Sequence, residues 1–299
     1  MSTVHGNASL DKVTANCLQV MRALDKTNIP VHAGLARGLT RENISAADIH
    51  GKSGLDGTNL LPALQPEDKP SGKKAVLAMA EEVLARPKGE VILVAIGSMT
   101  NIAILVSLYP EVIDWIKGLV IMGGALTVGN VTSVAEFNIW VALHEAIANR
   151  ESDPEAARIL FSLPALGEKT VMVPLELTHS ALLTEEIESR ILTPKPTKFR
   201  RMWAELGRFF ADTYETVFGI TSGPPLHDVC AVHIASLIGR GVKSAKNGRW
   251  YGRKMHCHVE TGDGRTRGQT VCHMRNYSKA QGKITVASTI NVISIFARF

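Results

Sequence analysis

Five short runs of this chain are mainly apolar and rich in β-branched residues: 31–33, 91–96, 119–122, 171–175 and 284–287. Most are bounded by glycine or proline. A strand that alternates apolar and polar residues covers one face. A strand that is apolar at every position is buried on both faces, as in a parallel sheet with helices above and below. Segments with helical spacing lie between many of these runs, at 73–86, 99–108, 154–161, 185–191, 199–218 and 227–238. Strand and helix in turn predict an α/β layered fold with a mostly parallel open sheet flanked by helices. The last part differs. Segments 255–259, 269–274 and 283–290 read as strands with few helices between them, and GDGRTRG joins the first two as a hairpin-like turn.

The start of the chain, MSTVHGNASLDKVTANCLQV, reads as the end of a strand (Ser2, Thr3, Val4), a turn at Gly6 and Asn7, and a helix capped by Asn7 or Ser9. The apolar face of that helix is Leu10, Val13, Cys17, Leu18, Met21 and Leu24. Only a strand stub precedes the turn, so the chain is expected to begin in mid-fold. The 299 residues, 45% hydrophobic and 20% charged, suit one large α/β domain. Segments 51–71 and 193–197 read as loops able to move, neither of them a linker between domains.

Several function classes are disfavoured. No stretch approaches the roughly 18 apolar residues of a membrane helix, and no basic-then-apolar leader precedes the first helix. The expectation is a cytoplasmic protein without a membrane partner. The net charge of +5 is spread along the chain, and aromatics make up only 5% of it. Its densest basic patches lack stacking partners, so nucleic acid is not an expected partner. Cys17, Cys230, Cys257 and Cys272 form no C-x-x-C pair and read as reduced thiols. No G-x-G-x-x-G follows a strand, which weighs against a dinucleotide enzyme.

In a parallel α/β sheet, ligands bind at the carboxyl ends of the strands. Asn7, IGSMTN, MGGALTVGNVTSVAEFNIW and the HD of GPPLHDV all fall at such ends or at a helix start. GNVTSVAEFNIW is the densest, placing Asn130, Glu136 and Asn138 within nine residues beside Phe137 and Trp140. Amides that both donate and accept, with a carboxylate to accept, suit a polyhydroxylated ligand such as a sugar. The same residues also suit a polar loop that satisfies its own backbone. Asp228 fits a helix N-cap or a metal or hydroxyl ligand. His227 beside it fits an acid near neutral pH. His50, in DIHGKSGLDG, fits a lid or a solvated turn.

Together these blocks resemble the inosine-uridine preferring nucleoside hydrolases. VHGNASLDKVTANCL, DIHGKSGLDG, AIGSMTNIAIL, VIMGGALTVGNVTSVAEFNIW, DPEAARILF, VPLELTHSALLT, GPPLHDVCAV and VETGDGRTRGQT follow the family's order over nearly the whole chain. The resemblance implies hydrolysis of the N-glycosidic bond of ribonucleosides to ribose and free base, with a bound Ca²⁺. It implies that Asn130 and Glu136 hold the 5′-hydroxyl side of ribose, Asn138 the lower hydroxyls, and that Met122 lines the sugar pocket. Asp228 would bind Ca²⁺ and a ribose hydroxyl, and Ile96 would offer Ca²⁺ a backbone carbonyl. Asn7 and His50 would lie near sugar and base, and His227 would be the acid for the leaving base. A homo-oligomer is also implied, while base preference stays open, dependent on loops near His50 and 203–214.

Two departures from the family pattern stand out. The family's D-x-D-x-x-x-D-D cluster, with its first strand and helix, is expected ahead of Ser2. Residues 141–151, VALHEAIANRE, read as an insertion, because removing them leaves FNIWSDPEAAR. The expectation is a single N-terminally truncated domain over 1–299 with impaired catalysis. The alternative is a non-catalytic riboside-binding or oligomer-modulating relative.

Overall fold

The computed structural model describes residues 1–40, 47–140, 153–246, 248–274 and 282–296. The chain begins with β1 (Ser2–Thr3), α1 (Leu10–Ala23), β2 (His32–Ala33), α2 (Ala47–His50) and α3 (Ala75–Leu84). It continues through β3 (Ile92–Ala95), α4 (Thr100–Leu108), α5 (Val112–Trp115), β4 (Gly118–Met122), α6 (Phe137–Trp140), α7 (Pro154–Ser162), α8 (Pro164–Gly167) and β5 (Thr170–Val173). Then follow α9 (Leu175–Thr178), α10 (Glu185–Leu192), α11 (Lys198–Phe218) and α12 (His227–Gly239). The last elements are β6 (Trp250–Val259), β7 (Thr270–His273), β8 (Ile284–Ile290) and α13 (Val292–Phe296).

The six-stranded sheet runs β3-β4-β5-β8-β6-β7. Its first four strands are parallel, while β6 is antiparallel to both β8 and β7. Every residue of β4 and β5 is buried, as uninterrupted apolar strands require. Successive side chains of a strand point to opposite faces. Leu119 and Ile121 therefore join Met172 and Val286 in a core under α3, α4 and α7. Val120 and Met122 join Val171 and Val173 in a second core under α12. The two cores clamp the sheet, and its carboxyl edge opens between them.

The strand stub at the start pairs in parallel with β2, Ser2 opposite His32 and Thr3 opposite Ala33, in a separate two-stranded sheet. Ser9 stands at the N-cap of α1 with an extended backbone, but its hydroxyl makes no capping bond. Thr197 does cap α11, accepting from Arg200 N at 3.2 Å, and Gly219 ends it at φ 68°.

One expectation needs correction. Cys257 and Cys272 form a disulfide rather than carrying free thiols, because the β6–β7 register sets them directly opposite each other. Their separation of 15 residues hides that pairing. The loop at 51–71 is hydrogen-bonded to its neighbours at several points. Thr58 Oγ1 donates to Glu205 on α11 at 2.5 Å, and Asn16 and Gln19 of α1 donate to the carbonyls of Ser53 and Pro62. The Asp56 carboxylate closes its tip on the N–H groups of Lys52 and Ser53. The insertion expected at 141–151 lies outside the described residues.

Candidate active site

A cavity of about 450 Å³ opens at the carboxyl edge of the sheet, within the range of roughly 300–1,000 Å³ usual for small-molecule sites. Asn7, His50, Ile96, Met122, Asn130, Glu136, Asn138, His227 and Asp228 all line it. Every residue singled out in the sequence thus meets in one place, brought from segments as distant as the first turn and α12. Ile96 follows β3, and Met122 is the last residue of β4.

The loop before α6 is built largely from its own polar groups. Asn130 N and Val131 N donate to Ala135 O, and Thr132 Oγ1 accepts from Val134 N and Ala135 N. Asn130 Oδ1 accepts from Phe137 N at 3.0 Å. That much matches the self-satisfied loop weighed for this stretch. Glu136 goes further. It is 1% exposed, and its two oxygens accept from the backbone N–H groups of Gly124, Asn138 and Ile139 at 2.8, 2.9 and 3.1 Å. Burial pushes its carboxyl up to about 7 against the pull of those three donors. Asn138 turns its amide nitrogen onto Met122 O at 3.1 Å, tying α6 to the end of β4.

Asp228 sits in the first turn of α12. Its exposed surface opens onto the cavity that it lines. Burial, and then the charge of Glu136, raises its carboxyl to about 7. Among the described residues none donates it a hydrogen bond.

His227 is held at both nitrogens. Nδ1 lies 2.8 Å from Thr178 Oγ1, and Nε2 lies 2.7 Å from the Tyr214 phenol oxygen. The Thr178 hydroxyl has one proton and two acceptors within reach, Leu175 O at 3.3 Å and His227 Nδ1 at 2.8 Å, and its choice sets the tautomer: Nε2 accepts from Tyr214 in the first case and donates to it in the second. Burial, with His179 and His50 nearby, lowers the imidazole to about 3, so the ring is neutral near pH 7. Burial also raises the Tyr214 phenol.

From α11, Trp203, Phe210, Tyr214 and Phe218 join the cavity wall. His50 meets Phe210 edge-on, with ring centroids 5.4 Å apart. Tyr214 and Thr178 were not singled out in the sequence. The stripe at 203, 207, 210, 214 and 218 is the signal that points to the first. Thr178 carries no comparable signal.

The cavity thus carries both kinds of group, the carboxylates and carboxamides of Asn130, Glu136, Asn138 and Asp228 and the aromatic rings and imidazoles of His50, Phe210, Tyr214 and His227. As a calcium site the described residues fall short. Hard Ca²⁺ takes about 6 to 8 oxygens, and Asp228 with the Ile96 backbone falls far below that number. Among the described residues no group of three or more His, Cys, Asp or Glu is arranged to hold a metal ion.

A family model described as inosine-uridine preferring nucleoside hydrolase matches residues 1–297. An uncharacterized protein of Schizosaccharomyces pombe is 41% identical over 91% of this chain and 74% of its own. The uridine nucleosidase of Saccharomyces cerevisiae is 37% identical over 78% of this chain and 66% of its own. Among solved structures, the purine-preferring ribonucleoside hydrolase from Gardnerella vaginalis superposes with a TM-score of 0.78 at 27% identity. That likeness covers 99% of this chain and 86% of the other.

Proposed function

The chain belongs to the inosine-uridine preferring nucleoside hydrolase family, and we propose that its cavity binds a ribonucleoside and serves hydrolysis of the N-glycosidic bond. One observation carries this reading. A single cavity is lined both by carboxylates and carboxamides and by aromatic rings and imidazoles, the groups that suit the sugar and the base of a nucleoside. In the reaction, water adds to the anomeric carbon, the carbon–nitrogen bond breaks, and the base leaves with a proton. Asn130, Glu136 and Asn138 take the ribose hydroxyls, and Met122 floors the sugar. Asp228 faces the same end and accepts from a ribose hydroxyl. Asn7 lies at the sugar end, and His50, Phe210, Tyr214 and His227 receive the base. His227 is neutral with both nitrogens engaged, so in the overall balance the proton that leaves on the base comes from the attacking water rather than from a waiting imidazolium.

The similarity to a uridine nucleosidase makes uridine the first substrate to test, with inosine second. A cytoplasmic setting and a homo-oligomer belong to the same reading. Among the described residues no helix is long and apolar enough to cross a membrane. The family's calcium would supply an activated water and a grip on ribose hydroxyls. The described residues do not assemble a shell for it.

That shortfall favours a second reading, a relative that binds ribosides without cleaving them. Reducing-sugar release and calorimetric binding, each with uridine and inosine, with calcium and with chelator, separate the two. Calcium-dependent ribose release establishes hydrolysis. Binding without release selects the second reading. Neither binding nor release removes both.

A further inference from the structure

The turn between β6 and β7 contributes nothing to the cavity lining, yet three consecutive residues of it grip the segment that does. Gly268 has φ +78°, and a Cβ added there would fall 2.1 Å from Trp140 Cδ1. The indole therefore rests on bare backbone, which only glycine leaves open. Next to it, Arg267 is 4% exposed. Its Nη2 donates to Glu155 Oε1 at 2.6 Å, and its Nη1 donates to the Thr261 carbonyl. Glu155 stands in the first turn of α7. On the other side, Gln269 pairs with Ala135 in an isolated antiparallel bridge.

These contacts bracket the sugar end of the site. Ala135 and Trp140 flank Glu136 and Asn138, and Trp140 and Glu155 stand on either side of residues 141–152. A guanidinium this buried is held by its partners. Removing it leaves the Glu155 carboxylate uncompensated and frees the turn from α7. Gly268 then no longer has a fixed place against Trp140.

We infer that Arg267 is a positioning residue for Glu136 and Asn138, acting through the Gly268–Trp140 contact from outside the cavity. The sugar-binding part of this inference rests on the functional reading above. The placement part does not.

The test compares the full chain with Arg267→Met, Glu155→Gln and a control, Lys254→Met, which removes an exposed pair with Glu168. The first readout is the NMR signal of the Asn138 carboxamide, which donates to Met122 O. Arg267→Met is expected to shift or broaden it, Glu155→Gln to do so less, and Lys254→Met to leave it alone. The second readout is calorimetric affinity for ribose and for free uracil. Arg267→Met is expected to weaken ribose at least tenfold and uracil less than twofold. An unmoved Asn138 signal in folded Arg267→Met overturns the inference, as does equal weakening of ribose and uracil. If Arg267→Met does not fold, Arg267→Lys keeps the charge but loses the two-sided grip on Glu155 and Thr261, and the Asn138 readout applies unchanged. Failure of the unaltered chain to bind ribose counts against the functional reading, while the Asn138 signal still decides the role of Arg267.

Discussion

The Tyr214 phenol oxygen and His227 Nε2 stand 2.7 Å apart, joining α11 to the first residue of α12 across the cavity. Thr178 holds the other nitrogen from α9. Removing one partner strands a half-buried imidazole nitrogen, a cost of about 1–3 kcal/mol. Tyr214→Phe and Thr178→Val are each expected to lower stability by that order. Denaturant midpoints check this, and midpoints equal to the unaltered chain count against the bonds.

Glu136 makes stability depend on pH. Its folded carboxyl is raised from 4.5 to about 7, so between those values the folded state binds more protons than the unfolded state. The Glu136 contribution to stability is then expected to fall as pH rises from about 4.5 to about 7, and to level off above. Glu136→Gln removes that part of the slope and leaves the parts from Asp228 and His227. It also sets an amide group against backbone donors, so the variant is less stable throughout. Urea unfolding at several pH values reads both effects, and an unchanged slope in the variant contradicts the assignment.

Phe210 meets His50 edge-on in the cavity wall. Phe210→Ala is expected to weaken uridine binding by about tenfold, the order of one lost aromatic contact of about 1–1.5 kcal/mol. Ribose affinity stays within about twofold under the same placement of sugar and base. Calorimetry with both ligands checks the split. Equal losses point to a collapsed cavity instead.

The Cys257–Cys272 bond closes 15 residues around the turn that carries Arg267 and Gly268. Loop closure of that size contributes about 3 kcal/mol. The double variant Cys257→Ser/Cys272→Ser is expected to lose stability of that order. Mass spectrometry of the alkylated, unreduced protein should show Cys17 and Cys230 modified after unfolding, and Cys257 and Cys272 protected. Four modified cysteines rule the bond out.

Much of the fold was legible because its signals are local. The runs at 91–96, 119–122, 171–175 and 284–287 became β3, β4, β5 and β8, each within a few residues of the expected bounds. The helices at 154–161, 185–191 and 227–238 appear as α7, α10 and α12. The candidate site was legible for a related reason. Polar residues just past apolar strands stand at the carboxyl edge of a parallel sheet, and the cavity gathers them there. Contacts between elements were not legible. Thr178 and His227 are 49 residues apart and Arg267 and Glu155 are 112 apart, and nothing in the composition of either neighbourhood marks the other.

The sequence by itself determined the layered parallel architecture, the order of its elements and the polar residues that reach one cavity, because side-chain periodicity and turn chemistry act within a few residues. Only the tertiary structure decided the state of those residues. The Glu136 carboxyl is raised by burial, His227 is neutral between Thr178 and Tyr214, and Cys257 meets Cys272 because β6 and β7 pair in that register. Desolvation and strand register depend on what packs around a group, and that is settled only when distant elements meet.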